Sequence, residues 1–254
     1  MDLELEGKVA MVAAASSGLG FATAEVLAKE GCRLSICGRD PERLSGAVDR
    51  LRKSGAEVLA RATDVTDCAD AAAWAAETAE RFRLIDILVT NCGGVSAGPP
   101  SAMTPKDFED AFHRVLLPSI NLVTATLPHL RRSSAGRILM LASEAIVRTP
   151  VHFALSGVAR AGLVPYCHTL VQELAGEGVT VNVLAPGAHS TAIHEANRRG
   201  SHAAAIRALE HRTPAQRLGD PSEFAAVAAF LASPRAAYIS GQLIVIDGGL
   251  SATV

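Results

Sequence analysis

The chain is poor in the features that would mark it for nucleic acid, membrane or secretion. Aromatic residues make up only 4% of its 254 positions, and the formal net charge is −2 at pH 7. No basic stretch is interleaved with aromatics that could stack on bases, so no nucleic-acid partner is expected. No apolar run approaches the roughly 20 residues that span a bilayer, so no membrane partner is expected either. The five cysteines, Cys32, Cys37, Cys68, Cys92 and Cys167, are odd in number and hold no C-x-x-C spacing. They read as reduced thiols rather than a disulfide framework. The segment Met1-Asp2-Leu3-Glu4-Leu5-Glu6 is acidic and does not have the pattern of a signal peptide. These features predict a cytoplasmic protein.

What the chain does have is 49% hydrophobic content against 20% charged residues. That is enough for a large core, and residues 1–254 read as one domain without linker, repeat or low-complexity block. Strand and helix patterns alternate throughout, which predicts an α/β fold: a single doubly wound parallel sheet, Rossmann-type, with helices on both faces.

The organising stretch is Val12-Ala13-Ala14-Ala15-Ser16-Ser17-Gly18-Leu19-Gly20. It follows the apolar run Val9 to Val12 and opens onto a helix pattern running to Lys29. A strand, a turn of small residues and a helix start together make an anion site. The first N–H groups of the helix lack partners, and the helix dipole favours negative charge there. Gly18 and Gly20 let a pyrophosphate approach the backbone and let helix pack on strand.

Further strands are expected at Arg33 to Cys37, Val58 to Ala62, Ile85 to Thr90, Gly136 to Ala142, Val179 to Leu184 and Leu243 to Ile246. Between them lie helices from Pro41 with Asp40 as cap, Ala69 to Phe82, Thr104 to about Arg132, Phe153 to Glu177 and Pro221 to Ser233. Pro118 lies inside the third of these and should bend it.

Taken in order, these motifs resemble the short-chain dehydrogenase/reductase family over almost the whole chain. The glycine turn is similar to the family's T-G-x-x-x-G-x-G, with Ala13 and Ala14 standing for Thr and the first Gly. Asp64-Val65 resembles the segment that meets the adenine ring, and Thr90-Asn91-Cys92-Gly93 resembles N-N-A-G. Pro186-Gly187 with Thr191 resembles the segment beside the nicotinamide. Arg217 to Pro221 and Ile239 to Gly249 resemble the C-terminal substrate and interface region. The resemblance implies a nicotinamide dinucleotide held by Ala14, Ser16, Ser17, Gly18, Leu19, Gly20, Arg39, Asp64, Val65, Asn91, Gly93, Pro186, Gly187 and Thr191. It also implies a small-molecule substrate, a mobile substrate lid at about residues 188–217, and a homo-oligomer, a tetramer or a dimer. In place of the acid that would hold a ribose 2′-hydroxyl stands Gly38, followed by Arg39, so NADP is favoured, with NAD possible.

The family uses Asn, Ser, Tyr and Lys in catalysis. The Tyr hydroxyl transfers the proton, and the Lys lowers its pKa and holds the ribose. Aligned on this chain, the Ser is Ser143, while Phe153, Gly157 and Val115 stand at the Tyr, Lys and Asn positions. Asn121 and Tyr166 lie too far along their helices to substitute. Candidates for moving the proton are therefore Ser143 with His152, Glu144 beside it, and His189 in the Pro186-Gly187 segment. The expected activity is an atypical NADP-dependent oxidoreductase acting on a small or medium carbonyl or alcohol. The alternatives are an isomerase, dehydratase or cyclase on the same scaffold, or a nucleotide-binding protein without catalysis. A hydrolase is excluded by the absence of a G-x-S-x-G elbow. His189, His194 and His202 do not have a metal-ligand spacing, so no metal is expected. Arg198, Arg199, Arg207, Arg212 and Arg217 read as a solvated face.

Overall fold

In the computed structural model, which describes residues 1–191 and 203–252, the apolar runs become strands of one seven-stranded sheet. These are β1 (Val9–Val12), β2 (Arg33–Gly38), β3 (Val58–Ala62), β4 (Ile87–Thr90), β5 (Arg137–Leu141), β6 (Thr180–Pro186) and β7 (Leu243–Ile246). All neighbours are parallel, in the order β3-β2-β1-β4-β5-β6-β7. The expected α/β architecture is therefore present.

Period-two alternation divides the sheet's side chains between two cores. Ala10 and Val12 of β1 face α1 (Gly18–Lys29), α2 (Pro41–Lys53) and a C-terminal helix that is numbered α9 below (Pro221–Ala232). Met11, between them, faces α3 (Cys68–Phe82), α5 (Leu117–Leu130) and α7 (Leu163–Glu173). The single tryptophan, Trp74, is fully buried in the second core. Its Nε1 donates to Ser35 Oγ at 2.8 Å, and Ser35 shares a 2.7 Å hydrogen bond with Thr78, so the polar edge of the indole is satisfied.

Helix starts follow their local chemistry. Asp40 and Asp67 accept backbone N–H groups at the starts of α2 and α3. Thr104 with Asp107 makes a capping box at α4 (Pro105–Ala111), and Asp220 with Glu223 makes another at α9. Two helices differ from their expected form. The helix from Thr104 is broken by a π-helical turn, Phe112–Leu116, before α5. Pro118 explains the break, because its ring would clash with the carbonyl four residues earlier. The helix expected from Phe153 is divided at Gly162 into α6 (Ala154–Ala161) and α7, where Pro165 cannot donate the bond that would join them.

Within the expected lid, α8 (Ala203–Arg212) turns Ile206 into the protein, while His194, Arg198, Arg199 and His202 lie outside the described residues. Among the described residues no helix is long and apolar enough to cross a membrane.

The chain runs outward from β1 to β3, then crosses back to β4 on the other side of β1. That reversal opens a crevice at the carboxyl ends of β1 and β4, the place where open parallel sheets bind ligands.

Candidate active site

The crevice is a cleft of about 670 Å³, within the range of small-molecule and cofactor sites. Its lining includes Ala14, Ser16, Ser17, Gly18, Leu19, Arg39, Asp64, Val65, Asn91, Gly93 and Thr191. The structure thus brings together eleven of the residues expected at the cofactor.

The glycine turn forms its floor. Ser17 stands at the cap of α1 without its hydroxyl accepting a backbone N–H, and no acidic side chain occupies the first turn. The first N–H groups of α1 are thereby left for an anion. Gly20 lies deeper: a Cβ there would stand 2.5 Å from the Ala14 carbonyl oxygen and 2.9 Å from Asn91 Nδ2. No side chain fits. Ala14 itself is held at φ +48°, in the left-handed region that favours glycine, which is the residue the family has there. Thr191, from the loop after β6, leans on the same turn, its methyl 3.7 Å from where a Cβ on Gly18 would be.

The outer end of the cleft is basic. A Cβ on Gly38 would crowd the Ser16 side chain at 3.3 Å, and Gly38 itself offers no acid to grip a ribose hydroxyl. Arg39 and Arg43 both line this end. Arg43 Nη2 donates to Ser17 Oγ at 3.2 Å. Asp40, an acid about 20 residues past the glycines where a ribose ligand could stand, is engaged instead as the α2 cap, accepting from the N–H groups of Glu42 and Arg43. Asp64 accepts from the backbone and hydroxyl of Thr66; these bonds, with a smaller contribution from Arg39, hold its carboxyl below the usual range.

Beyond Asn91 and Gly93, the carboxyl ends of β5 and β6 continue the row; Ser143, Glu144, Pro186 and Gly187 there are not part of the cleft's lining. Asn91 Oδ1 accepts from the Cys92 N–H, and burial pushes the Cys92 thiol pKa up against the field of Arg160. Ser143 follows β5. Its hydroxyl donates to Glu144 Oε2 at 2.9 Å and accepts from the Ala145 N–H at 3.2 Å. Burial, aided by Asp247, raises the Glu144 pKa, while Ser143 and Arg160 oppose the shift. Pro186 ends β6, and Gly187 is packed so closely that a Cβ would lie 2.7 Å from the Asp247 Cβ.

The histidines are not where the sequence placed them. His152 is exposed before α6, and only its carbonyl is engaged, accepting from the Gly98 N–H; the partner of Ser143 is Glu144. His189 is 97% buried in a separate pocket with Arg217, Glu223 and Asp247. Its Nδ1 is 2.9 Å from the Gly187 carbonyl and its ring stands edge-on to Phe224, so it packs the β6 loop rather than joining Ser143.

The assignments on α6 also change. Phe153 is 46% exposed at the helix start, and a Cβ on Gly157 would meet Thr149 at 2.8 Å and the Ala145 carbonyl at 3.0 Å. Gly157 has no room for a Lys side chain, and neither Gly157 nor the exposed Phe153 is among the residues that line the cleft. Ser156 and Arg160, one turn apart on α6, are joined instead: Arg160 Nη1 donates to Ser156 Oγ at 2.8 Å and Nη2 to the Gly93 carbonyl at 3.2 Å. Ser156 is buried, and the Nε of Arg160 is buried without a partner. The signal for them was in the chain. Phe153 leaves a shortened spacing from Ser143, and moving three residues on removes the shortening and keeps the four-residue separation. The remaining candidate, Val115, is fully buried in the π-helical turn, and the neighbouring Arg114 lines the cleft.

Two substitutions separate the roles of the turn. Gly20→Ala forces Cβ into the Ala14 carbonyl and is expected to lower stability by about 1–3 kcal/mol and to weaken dinucleotide binding. Ala14→Gly relieves the left-handed alanine and is expected to raise stability by about 0.5–1 kcal/mol with binding retained. Urea unfolding and cofactor titration of both variants check this.

The protein can now be set beside known ones. The family profile described as enoyl-(acyl carrier protein) reductase matches residues 13–251. The 3-oxoacyl-(acyl-carrier-protein) reductase FabG of Vibrio cholerae is 32% identical over 98% of this chain and 99% of its own. The L-sorbose reductase of Gluconobacter frateurii, solved with NADPH and L-sorbose, superposes with a TM-score of 0.93 at 28% identity, covering 100% of both chains. A short chain oxidoreductase from Pseudomonas aeruginosa PAO1, NADPH-bound and described as containing an atypical catalytic center, gives a TM-score of 0.91 at 31% identity, covering 97% of this chain and 98% of its own. The glycine turn, the switch-point cleft and these likenesses agree: the chain belongs to the short-chain dehydrogenase/reductase family.

Proposed function

We propose that this protein is an NADP-dependent oxidoreductase that interconverts a small or medium carbonyl compound and its alcohol without a Tyr–Lys pair. The observation that carries the reading is the outer end of the cleft, where Gly38 stands in place of an acid and Arg39 and Arg43 both line the wall. Two guanidinium groups suit a 2′-phosphate by charge and by geometry. The dinucleotide also fits the cradle at Gly18 and Gly20, which a Cβ would fill at the second position. Ala14, Ser16, Ser17, Leu19, Asn91, Gly93 and Thr191 would flank it, with Pro186 and Gly187 at the nicotinamide end. The Gluconobacter and Pseudomonas structures, both with NADPH, support the same cofactor.

When bound, a reduced cofactor of this kind supplies hydride to a carbonyl carbon. The protein must then provide for the oxygen. Ser143 is the hydroxyl for that task, and Glu144 sets its direction. With Glu144 ionised, the Ser143 proton points to the carboxylate. With Glu144 protonated, the carboxyl donates to Ser143 Oγ, whose own proton is released for the substrate oxygen. A homo-oligomer, dimer or tetramer, belongs to the same reading. The exposed apolar side chains Val147, Val151, Phe153 and Val158 around the start of α6 offer it a surface.

Two measurements test this reading. Fluorescence titration is expected to show tighter binding of NADPH than of NADH, and Arg39→Glu is expected to weaken NADPH by about 10–100-fold with little change for NADH. Equal binding of the two cofactors would contradict the assignment of the basic end. Because the Glu144 pKa is raised by burial and its protonated form is the donor, carbonyl reduction should be fastest at low pH and decline as pH rises through that pKa. Glu144→Gln should remove this decline and lower kcat by about 100-fold or more. NADPH binding without hydride transfer to any carbonyl would favour non-redox chemistry on the same scaffold.

A further inference from the structure

We propose that Ser156 and Arg160 form the pair that receives the substrate oxygen, Ser156 touching it and Arg160 positioning Ser156. This rests on the oxidoreductase reading above and adds a second hydroxyl at the substrate oxygen beside Ser143.

A guanidinium only donates, so the 2.8 Å contact from Arg160 Nη1 fills a lone pair of Ser156 Oγ. The hydroxyl proton of Ser156 is left to be given elsewhere, and a donor whose oxygen is itself accepting from a cation is polarised. Arg160 is in turn fixed by the Gly93 carbonyl at 3.2 Å, which ties α6 to the segment after β4 that lines the cleft. Ser156 is only 6% exposed, so its free proton has little water to meet.

Charge supports the same placement. Arg160 lies within the field of both Cys92 and Glu144, so the cation, the Ser143–Glu144 couple and Ser156 share one locality. Its Nε is buried and unpartnered, an orphan donor on a group that cannot shed its charge. Such a cation favours negative charge developing on a nearby oxygen. The four-residue spacing is that of the family's Tyr and Lys, with a division of labour suited to the residues present. Ser156 donates a hydrogen bond, Arg160 holds it in place, and the proton itself comes from Ser143 with Glu144 behind it. The electron pair left on the substrate oxygen after hydride reaches carbon takes the Ser143 proton. Ser143 Oγ recovers one from the Glu144 carboxyl, and water reprotonates the carboxylate.

The experiment compares wild type with Ser156→Ala, Ser156→Thr, Arg160→Lys and Arg160→Gln. NADPH binding is measured first, without substrate, and should stay within about two-fold of wild type in Ser156→Ala. Steady-state reduction of ethyl acetoacetate should then show kcat reduced about 10²–10³-fold in Ser156→Ala with KM little changed, and partly restored in Ser156→Thr. A readout free of turnover uses ethyl acetoacetate labelled with carbon-13 at the ketone, added to protein loaded with NADP⁺. Its carbonyl signal should move downfield in wild type and return toward the free position in Ser156→Ala and Arg160→Gln. Arg160→Lys should add a decline in rate at alkaline pH, as the ammonium loses the proton a guanidinium keeps. Wild-type kcat and an unmoved carbonyl signal in Ser156→Ala, with NADPH bound, would overturn the pair. Failure of the wild-type chain to bind NADPH would instead overturn the cofactor reading beneath it.

Discussion

The site depends on how closely α1 approaches the end of β1. At Gly20 the helix presses against the carbonyl of Ala14, leaving no space for even one methyl group. That contact aims the free N–H groups of α1 along the carboxyl edge of the sheet. It also sets the depth of the cleft into which Arg39, Asn91, Gly93 and Thr191 converge. The protein keeps Ala14 at a positive φ to maintain this geometry, although glycine would adopt it without strain. A local conformational cost is thus carried at the point where the phosphates of a dinucleotide would lie.

Much of this was legible in the residues. The parallel sheet follows from short apolar runs separated by amphipathic helices, and β1 and β7 fall where their apolar residues begin and end. The cap at Asp40 was equally readable, since Asp-Pro at a helix start has one dominant use, and so an acid near the glycines was not mistaken for a ribose ligand. What did not follow was the position of anything across a loop. The segment from Ser143 to α6 has no regular pattern of its own, so only its length, through the shortened spacing to Phe153, pointed on to Ser156 and Arg160. The contacts of Gly157 with Thr149 and Ala145 fix which face of α6 looks inward. His189 misled for a related reason. It stands in a polar stretch, yet a 5.9 Å edge-on contact with Phe224 and the nearness of Gly219 draw it into a separate pocket. Periodicity carries no information about such tertiary partners.

On the proposed reading, Ser156 and Arg160 would take over one mechanical role from two different side chains. A phenol and an ammonium are both titratable, and their pairing ties the transferred proton to the residue that touches the substrate. A serine and a guanidinium do not titrate in the working range, so the pair can orient and polarise but needs a separate acid. Glu144, its pKa raised by burial and its carboxylate hydrogen-bonded to Ser143, is the acid the proposal assigns to that task. The electrostatic design is consistent: a permanent cation at Arg160, an acid of adjustable charge at Glu144, and two hydroxyls whose proton directions these neighbours control.

The most direct test of the account is to follow a label. NADPH deuterated at the nicotinamide C4 would be incubated with the protein and a panel of ketones, and the products examined by NMR. The account predicts deuterium on the carbinol carbon of a product, formed in step with loss of NADPH. Tight binding of NADPH with the deuterium retained on the cofactor across the panel would contradict it.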